Sequence, residues 1–244
     1  MSSPRLFVAQ PVGAGDRIIL EGQAAHHVTH VLRMRSGNAV RVFDGEGHEY
    51  QAVLADIGRA GITLDIGAAV PGDRESMLQI TLAQGIARHD RMDMILQKAA
   101  ELGVQTIQPL WMQRSQTHLN GERLEKRLQH WQGILISACE QCGRSTLPQL
   151  RPPAGLPEWL SGSPPAALKL MMQPDSSDAL AALARPTGDI ILLVGPEGGL
   201  NPDEQSLARS AGFTGVRLGP RILRTETAAL AAIAGLQTLW GDFR

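Results

Sequence analysis

Residues 193–204 read LVGPEGGLNPDE, an apolar run that gives way to glycines and then to the signals of a helix start. Asn201 is a favoured N-cap residue, and Pro202 suits the first position of a helix. Asp203 and Glu204 then place two acids in the first turn, where the helix dipole stabilises them. In open α/β sheets, ligands bind where such a loop leaves the carboxyl end of a strand and enters a helix. The stretch therefore predicts an α/β fold with a ligand site at this loop.

The glycine loop lacks the features of a phosphate-binding loop. It has neither a Gly-Lys-Ser/Thr ending nor the G-x-G-x-x-G spacing of dinucleotide sites. Glu197 would repel a phosphate, whereas a ligand that carries an amine or a sulfonium group suits its charge. A tight turn before a capped helix, with no ligand, is the alternative that the same residues allow.

A second loop, residues 217–228, reads RLGPRILRTETA and follows another predicted strand. Leu218, Ile222 and Leu223 offer apolar walls, and the backbone between them suits the polar edge of an adenine. Thr225 is predicted to cap the last helix. The loop also carries three arginines with no acid among them, which favours a phosphate contact. A solvated basic turn is the alternative.

Residues 1–72 have the pattern of a small β-barrel, with short strands separated by turn residues. Strands are predicted at 5–9, 17–20, 39–43, 49–56 and 61–66, with one helix at 24–34. That helix would place Val28, Val31 and Leu32 on one face. The sequence Pro71-Gly72-Asp73 predicts a domain boundary at this point.

Residues 73–244 alternate between strand and helix patterns, with a Pro-rich connection at 151–157. The predicted strands are 78–83, 104–112, 167–172, 190–194 and 215–218, and the predicted helices are 90–102, 124–142, a short one near Ala179, 202–211 and 225–240. Such alternation predicts an α/β domain with a largely parallel sheet.

The composition is that of an ordinary globular protein. Hydrophobic residues make up 43% of the chain and the net charge is -1, which argues mildly against a simple nucleic-acid binder. Of the 23 basic residues only Lys98, Lys126 and Lys169 are lysines, and arginine is the better residue for bidentate phosphate and base contacts. The start carries no secretory signal, and the most apolar stretch, 228–236, is too short to cross a membrane. We therefore expect a cytoplasmic protein without membrane contact.

The two C-terminal loops, in this order and at this distance, resemble those of the RsmE family, the 16S ribosomal RNA uridine N3-methyltransferases of the SPOUT superfamily. Further matches are QKAAELGV at 97–104, Arg-Ser at 114–115 and EQCGR at 140–144. The segments 26–33 and 43–45 are also similar to the family. The resemblance therefore covers nearly the whole chain.

The resemblance implies a PUA-like RNA-binding β-barrel over residues 1–72 and a SPOUT methyltransferase domain over 73–244. The implied α/β sheet is parallel, and its C-terminal part is threaded into a trefoil knot, an exception to the rule against knots. The implied cofactor is S-adenosylmethionine, without a metal. The implied partners are 16S ribosomal RNA of the small ribosomal subunit, methylated at uridine 1498, and a second copy of the chain in a homodimer.

The resemblance also assigns residues. The cofactor-binding candidates are Met172, Gly195, Pro196, Glu197, Gly198, Leu218, Gly219, Ile222, Leu223 and Thr225. The RNA-binding candidates are Arg5, Arg33, Arg88, Arg114, Arg144 and Arg221.

Methylation of N3 sets the chemical requirements, because a neutral uridine N3 holds a proton and is a poor nucleophile. Arg224 is the candidate for stabilising the negative charge that develops on the base. Glu226 or Glu197 is the candidate base, although Glu226 is equally interpreted as an acid in the first turn of a helix. A ribose 2′-O-methyltransferase and a non-catalytic RNA-binding assembly factor are the alternative functions. A nucleotide-dependent oxidoreductase is disfavoured because the dinucleotide fingerprint is missing.

Cys139 and Cys142 have the spacing of a redox or metal pair, but they lie late in a predicted amphipathic helix without a second pair. We interpret them as a half-buried thiol pair.

Overall fold

The computed structural model describes residues 3–58, 61–72, 74–115, 120–162 and 165–243. The chain divides into two compact units, Met1–Glu75 with Ile136–Leu147, and Ser76–Leu135 with Pro148–Arg244. The predicted boundary between domains includes Asp73, which lies outside the described residues, and the division at residue 72 stays a prediction.

The first unit contains one five-stranded sheet, in which β1 is an edge strand and β4 is central. Its strands are β1 (Arg5–Phe7), β2 (Arg17–Leu20), β3 (Ala39–Phe43), β4 (Glu49–Gly58) and β5 (Gly61–Ala69), in the order β1-β3-β4-β5-β2. All neighbours are antiparallel except β1 and β3, which are parallel. Side chains alternate across the sheet, so that Ile62, Leu64 and Ile66 of β5 enter a single core. The five predicted strands are all present.

The helical segment predicted at 24–34 is present at 22–31, but the prediction of one helix with Val28, Val31 and Leu32 on a single face is wrong. An α-helix, α1 (Gly22–His26), is followed by a π-helical turn, His27–Val31, which the hydrogen bond from the Leu32 N–H to the His27 carbonyl closes. A π-helix has more residues per turn than an α-helix, so residues that share a face at α-helical spacing separate. Val28 is fully buried, whereas Val31 and Leu32 are exposed.

The second unit is an α/β structure whose sheet pairs are all parallel, as predicted. Its strands are β6 (Ile80–Gly85), β7 (Thr106–Trp111), β8 (Gln149–Leu150), β9 (Ala154–Gly155), β10 (Leu168–Met172), β11 (Ile190–Val194) and β12 (Thr214–Val216), in the order β12-β10-β11-β6-β7-β8 with β9 beside β7. Its helices are α2 (His89–Glu101), α4 (Leu156–Ser161), α5 (Pro202–Ser210) and α6 (Thr225–Trp240). Helix α3 (Gly121–Cys142) belongs to this unit as far as Leu135 and to the first unit from Ile136 onward. Every residue of β11 is buried, as expected for an inner strand covered on both faces.

Three details of this unit differ from the prediction. The segment 149–161, which includes the Pro-rich connection, contains β8, β9 and α4, and these elements are too short to show a periodic pattern in the sequence. The strand predicted at 215–218 is β12 and ends at Val216. The short helix near Ala179 is a 3₁₀ turn, Leu180–Ala182.

The topology gathers three connections at one edge of the sheet. β6 and β11 are parallel neighbours, and β10 pairs with both β11 and β12. The segments that follow β6, β11 and β12 therefore leave the sheet at the same edge, where open α/β sheets bind ligands. The knotted path of the C-terminal part stays a prediction. Within the described ranges, no helix has the length and apolarity needed to span a bilayer.

Candidate active site

A cavity of about 270 Å³ lies at this edge of the sheet. It is lined by the ends of β10 and β11, by the loop after β11 and by the loop after β12. The lining residues include Met172, Gly195, Pro196, Glu197, Gly198, Leu218, Ile222, Leu223 and Thr225. These are nine of the ten predicted cofactor-binding residues; the tenth, Gly219, does not line the cavity and holds a positive φ of 73° in the loop beside it.

The loop after β11 is fixed by its own hydrogen bonds. Asn201 caps α5, its side chain accepts from the Glu204 N–H at 2.9 Å, and the Glu204 carboxylate accepts from the Asn201 N–H at 2.9 Å. This capping box confirms the helix start predicted from the sequence. A Cβ at Gly195 would lie 2.9 Å from the backbone of Gly199 and Leu200, so only glycine permits the loop to fold back this closely.

Thr225 joins the two cavity loops rather than capping a helix. The N-cap residue of α6 is Arg224, and no side chain caps this helix start. The Thr225 hydroxyl instead donates to the Gly195 carbonyl at 2.6 Å and accepts from Gln84 Nε2 at 3.0 Å. The capping prediction is wrong because a buried carbonyl from another loop is the nearer partner.

Gln84 is a residue that the sequence analysis missed. It is fully buried at the end of β6, and its Nε2 also donates to the Gly85 carbonyl at 2.9 Å. The sequence did carry a signal for Gln84, because a glutamine stands inside an otherwise apolar strand that ends at the ligand-binding edge of the sheet. A polar side chain at such a buried position needs hydrogen-bond partners.

The two candidate bases lie close to one cation. Glu197 Oε1 accepts from the Arg88 N–H at 2.9 Å and lies 3.5 Å from Arg91 Nη1. Glu226 Oε1 lies 3.9 Å from Arg91 Nε. The Oε2 atoms of both glutamates are buried and have no hydrogen-bond partner among the described residues. Arg224 is exposed at the start of α6.

The six arginines predicted to contact RNA fall into two groups. Arg33, Arg88, Arg114 and Arg221 are exposed. Arg221 lines the cavity, and Arg114 Nη1 donates to the Gly198 carbonyl at 2.7 Å.

Arg5 and Arg144 form the second group, and their guanidinium groups are enclosed by protein partners. Arg5 pairs with Glu49 at 3.0 Å, donates to the Cys139 carbonyl and stacks on Phe43. Arg144 is 3% exposed and pairs with Glu75 at 2.5 Å. These contacts give both residues a structural role, and the geometry lends no support to RNA contact by either.

The two thiols differ in their electrostatic surroundings. The side-chain hydrogen bond with Cys139, together with the charges of Arg144 and Arg5, outweighs burial and lowers the pKa of Cys142 to about 6. The same bond and burial raise the pKa of Cys139. Both thiols are free. Across the part of the chain that the structure describes, no group of three or more His, Cys, Asp or Glu residues is arranged to hold a metal ion.

Comparisons with protein families match both units. Residues 74–237 match an RNA methyltransferase domain, and residues 20–67 match an RNA methyltransferase PUA domain. A ribosomal RNA small subunit methyltransferase E from Buchnera aphidicola is 32% identical over 241 residues, which cover 99% of this chain and 95% of the relative.

Two solved structures cover the full length of this chain and are covered fully by it. A ribosomal RNA small subunit methyltransferase E from Neisseria gonorrhoeae, bound to S-adenosylmethionine, is 42% identical with a TM-score of 0.92. A methyltransferase from Legionella pneumophila, in complex with the same cofactor, is 37% identical with a TM-score of 0.95.

Proposed function

Because the chain belongs to the ribosomal RNA small subunit methyltransferase E family, we propose that it methylates N3 of uridine 1498 in 16S ribosomal RNA. It is an S-adenosylmethionine-dependent RNA methyltransferase whose substrate is the ribosomal RNA of the small subunit. The base, the position and the atom are the parts that we propose. The observation that carries the proposal is the cavity at the sheet edge, which is lined by the incompletely hydrogen-bonded carboxylate of Glu197, whose neighbour Arg91 also contacts Glu226.

The cavity has the chemistry that S-adenosylmethionine requires. Leu218, Ile222 and Leu223 supply apolar walls for the adenine, and the backbone groups of the two loops are available to its polar edge. Glu197, a lining residue, supplies negative charge for a ligand that carries a sulfonium and an amine. Met172 and Gly195 also line the cavity. When bound, this cofactor supplies an electrophilic methyl group.

The chain's own residues must make uridine N3 nucleophilic. The unpartnered Oε2 atoms of Glu197 and Glu226 are suitable acceptors for the N3 proton. Arg224, exposed at the start of α6, is the proposed partner for the negative charge that spreads onto the uracil oxygens. Holding N3 in line with the methyl group lowers the activation barrier further, by roughly 7 kcal/mol in favourable cases.

The exposed arginines Arg33, Arg88, Arg114 and Arg221 are the proposed contacts to RNA. Such contacts to phosphates position the RNA rather than read its sequence. We further propose that the enzyme acts in the cytoplasm as a homodimer and that its C-terminal segment is knotted. Ile222, 86% exposed beside the cavity, is an apolar side chain that a second copy or the RNA would cover.

The proposal is tested by transfer of labelled methyl from S-adenosylmethionine to small ribosomal subunits that lack the modification. Nuclease digestion and chromatography then identify the labelled nucleoside. We expect N3-methyluridine from wild type and strongly reduced label from Glu226→Gln. Label on a ribose would indicate a 2′-O-methyltransferase, and donor binding without transfer would contradict this substrate. Absence of both donor binding and methyl transfer would favour the alternative of a non-catalytic RNA-binding assembly factor.

A further inference from the structure

Arg91, which no motif singled out, lies between the two candidate bases. It is in the first turn of α2, whereas Glu197 follows β11 and Glu226 begins α6. Its Nη1 atom lies 3.5 Å from Glu197 Oε1, and its Nε atom lies 3.9 Å from Glu226 Oε1. The side chains of the two glutamates are only 13% and 12% exposed, and that of Arg91 is 38% exposed. One guanidinium therefore holds two nearly buried carboxylates that come from separate parts of the chain.

The hydrogen bonding of the two carboxylates is one-sided. The oxygens near Arg91 have polar neighbours, while Oε2 of Glu197 and Oε2 of Glu226 are buried and have no partner among the described residues. A buried acceptor that is left unpaired destabilises the folded protein, because it has lost its hydrogen bonds to water without gaining others. Buried polar groups are almost always paired in folded proteins, so two exceptions in one cluster indicate a hydrogen-bond donor that arrives with a ligand.

Arg91 is the one cation that forms ion pairs with the two carboxylates in this cluster, among the described residues. The Arg91 guanidinium lies 3.5 Å from one carboxylate and 3.9 Å from the other, so this one cation attracts both and offsets the repulsion between their negative charges. Arg114 does not serve this purpose, because its Nη1 is directed to the Gly198 carbonyl. Arg224 has no ion pair with either glutamate in the described part of the chain.

We infer that Arg91 is a positioning residue for methyl transfer. It holds Glu197 and Glu226 so that their Oε2 atoms, which have no hydrogen-bond partner among the described residues, are left as acceptors for the N3–H group of the target uridine. In that step the N3–H bond breaks, its electron pair stays on N3, and the proton moves to a carboxylate oxygen. Arg91 acts through the glutamates and does not itself line the cavity. Glu197, which does line it, keeps its hydrogen bond from the Arg88 N–H when Arg91 is replaced, so the rate should fall more than cofactor affinity. This inference rests on the proposed function.

The test compares Arg91→Gln and Arg91→Lys with a matched control, Arg123→Gln. Arg123 occupies the same early position in α3 that Arg91 occupies in α2, and it is exposed. Three quantities are measured for each full-length protein. They are the single-turnover rate of methyl transfer to small ribosomal subunits, the Kd for S-adenosylmethionine by calorimetry, and the Tm.

We expect Arg91→Gln to slow transfer by about 10- to 100-fold, a part of what a well-placed general base contributes. Its Kd for the cofactor should stay within about twofold of wild type. Arg91→Lys should recover most of the rate because it keeps the charge, although it lacks the guanidinium fork. Arg123→Gln should match wild type in all three measurements.

Two results overturn the inference while the proposed function stands. One is a wild-type rate in Arg91→Gln. The other is a loss of rate in both Arg91 variants that is matched by equal losses of cofactor affinity and Tm, since a merely structural residue would behave in this way. A wild-type enzyme that labels a ribose overturns the proposed function and the inference together, because no N3 proton is then removed.

Discussion

Thr225→Val is the substitution that tests the architecture of the cavity most sharply. Valine has nearly the shape of threonine but neither donates to the Gly195 carbonyl nor accepts from Gln84 Nε2, the two bonds that the hydroxyl makes. A buried group left without its partner costs about 1–3 kcal/mol. Gln84 Nε2 keeps its bond to Gly85 and lies 3.4 Å from the Gly195 carbonyl, so the total should stay near the cost of one group, about 1–3 kcal/mol.

The assay for this variant pairs urea unfolding with calorimetric titration of S-adenosylmethionine. Because the lost bonds join the two loops that line the cavity, we expect cofactor affinity to fall by roughly fivefold or more, which corresponds to about 1 kcal/mol. The control is Thr238→Val, which removes an exposed hydroxyl bonded at 2.8 Å to Ala234 of the same helix. It should change stability by less than about 0.5 kcal/mol. Equal stability and equal affinity in Thr225→Val and wild type would refute the reasoning.

Three further substitutions or treatments test other parts of the structure. Gly85→Ala places a Cβ 2.6 Å from the loop after β11, so it should destabilise the protein by about 1–3 kcal/mol and weaken cofactor binding in the same titration; an unchanged Kd would contradict this close approach. Iodoacetamide should modify Cys142 with a half-maximal rate near pH 6, since the hydrogen bond with Cys139 lowers the pKa of Cys142 to about 6. Peptide mass spectrometry should find Cys139 unmodified, and preferential labelling of Cys139 would disprove the assignment. Glu49→Gln should lower the free energy of unfolding at pH 7 by on the order of 3 kcal/mol, because it leaves Arg5 buried without its counter-charge. Burial alone raises the pKa of Glu49, but the hydrogen bonds and charge of Arg5 outweigh it and the net pKa is lowered. The contribution is therefore present above the pKa that this carboxyl has in the unfolded chain and is lost as pH falls through the lowered pKa of the folded state, so the difference between the two proteins in urea titrations should shrink in acid; a constant difference would contradict this linkage.

The parts of the fold that the sequence predicts are those with local signals. The apolar run of β11, the capping pair Asn201 and Glu204, and the apolar stripe of α2 each depend on residues within a few positions of one another. Local patterns of this kind predict strands, helices and the edge of the sheet where a ligand binds. The residues of the cavity wall were assigned by the family resemblance instead; nine of the ten line the cavity, and their contact with the cofactor stays a prediction.

The interactions between distant segments were not predictable. Arg91 and Glu226 are separated by more than a hundred positions, as are Gln84 and Thr225, and only the folded sheet brings each pair together. Arg5 shows a second limit of the sequence. The family resemblance made it a candidate for RNA contact, whereas in the structure it is enclosed by Glu49 and by backbone carbonyls far along the chain. Charge type alone cannot reveal whether its partner is RNA or protein.

The π-helical turn at His27–Val31 was also beyond local prediction. Apolar spacing assumes 3.6 residues per turn, and one wider turn moves the later side chains off the shared face. The exposed positions of Val31 and Leu32 follow from this change alone.

The central claim, methylation of uracil N3, is tested most directly by reverse transcription of 16S ribosomal RNA taken from unmodified small subunits after incubation with the enzyme and S-adenosylmethionine. A methyl group on N3 blocks Watson–Crick pairing, so we predict a new stop at a single uridine, position 1498, that is absent without the cofactor. Full read-through of RNA that has acquired labelled methyl would contradict the account, because the methyl group would then lie on an atom that does not take part in base pairing.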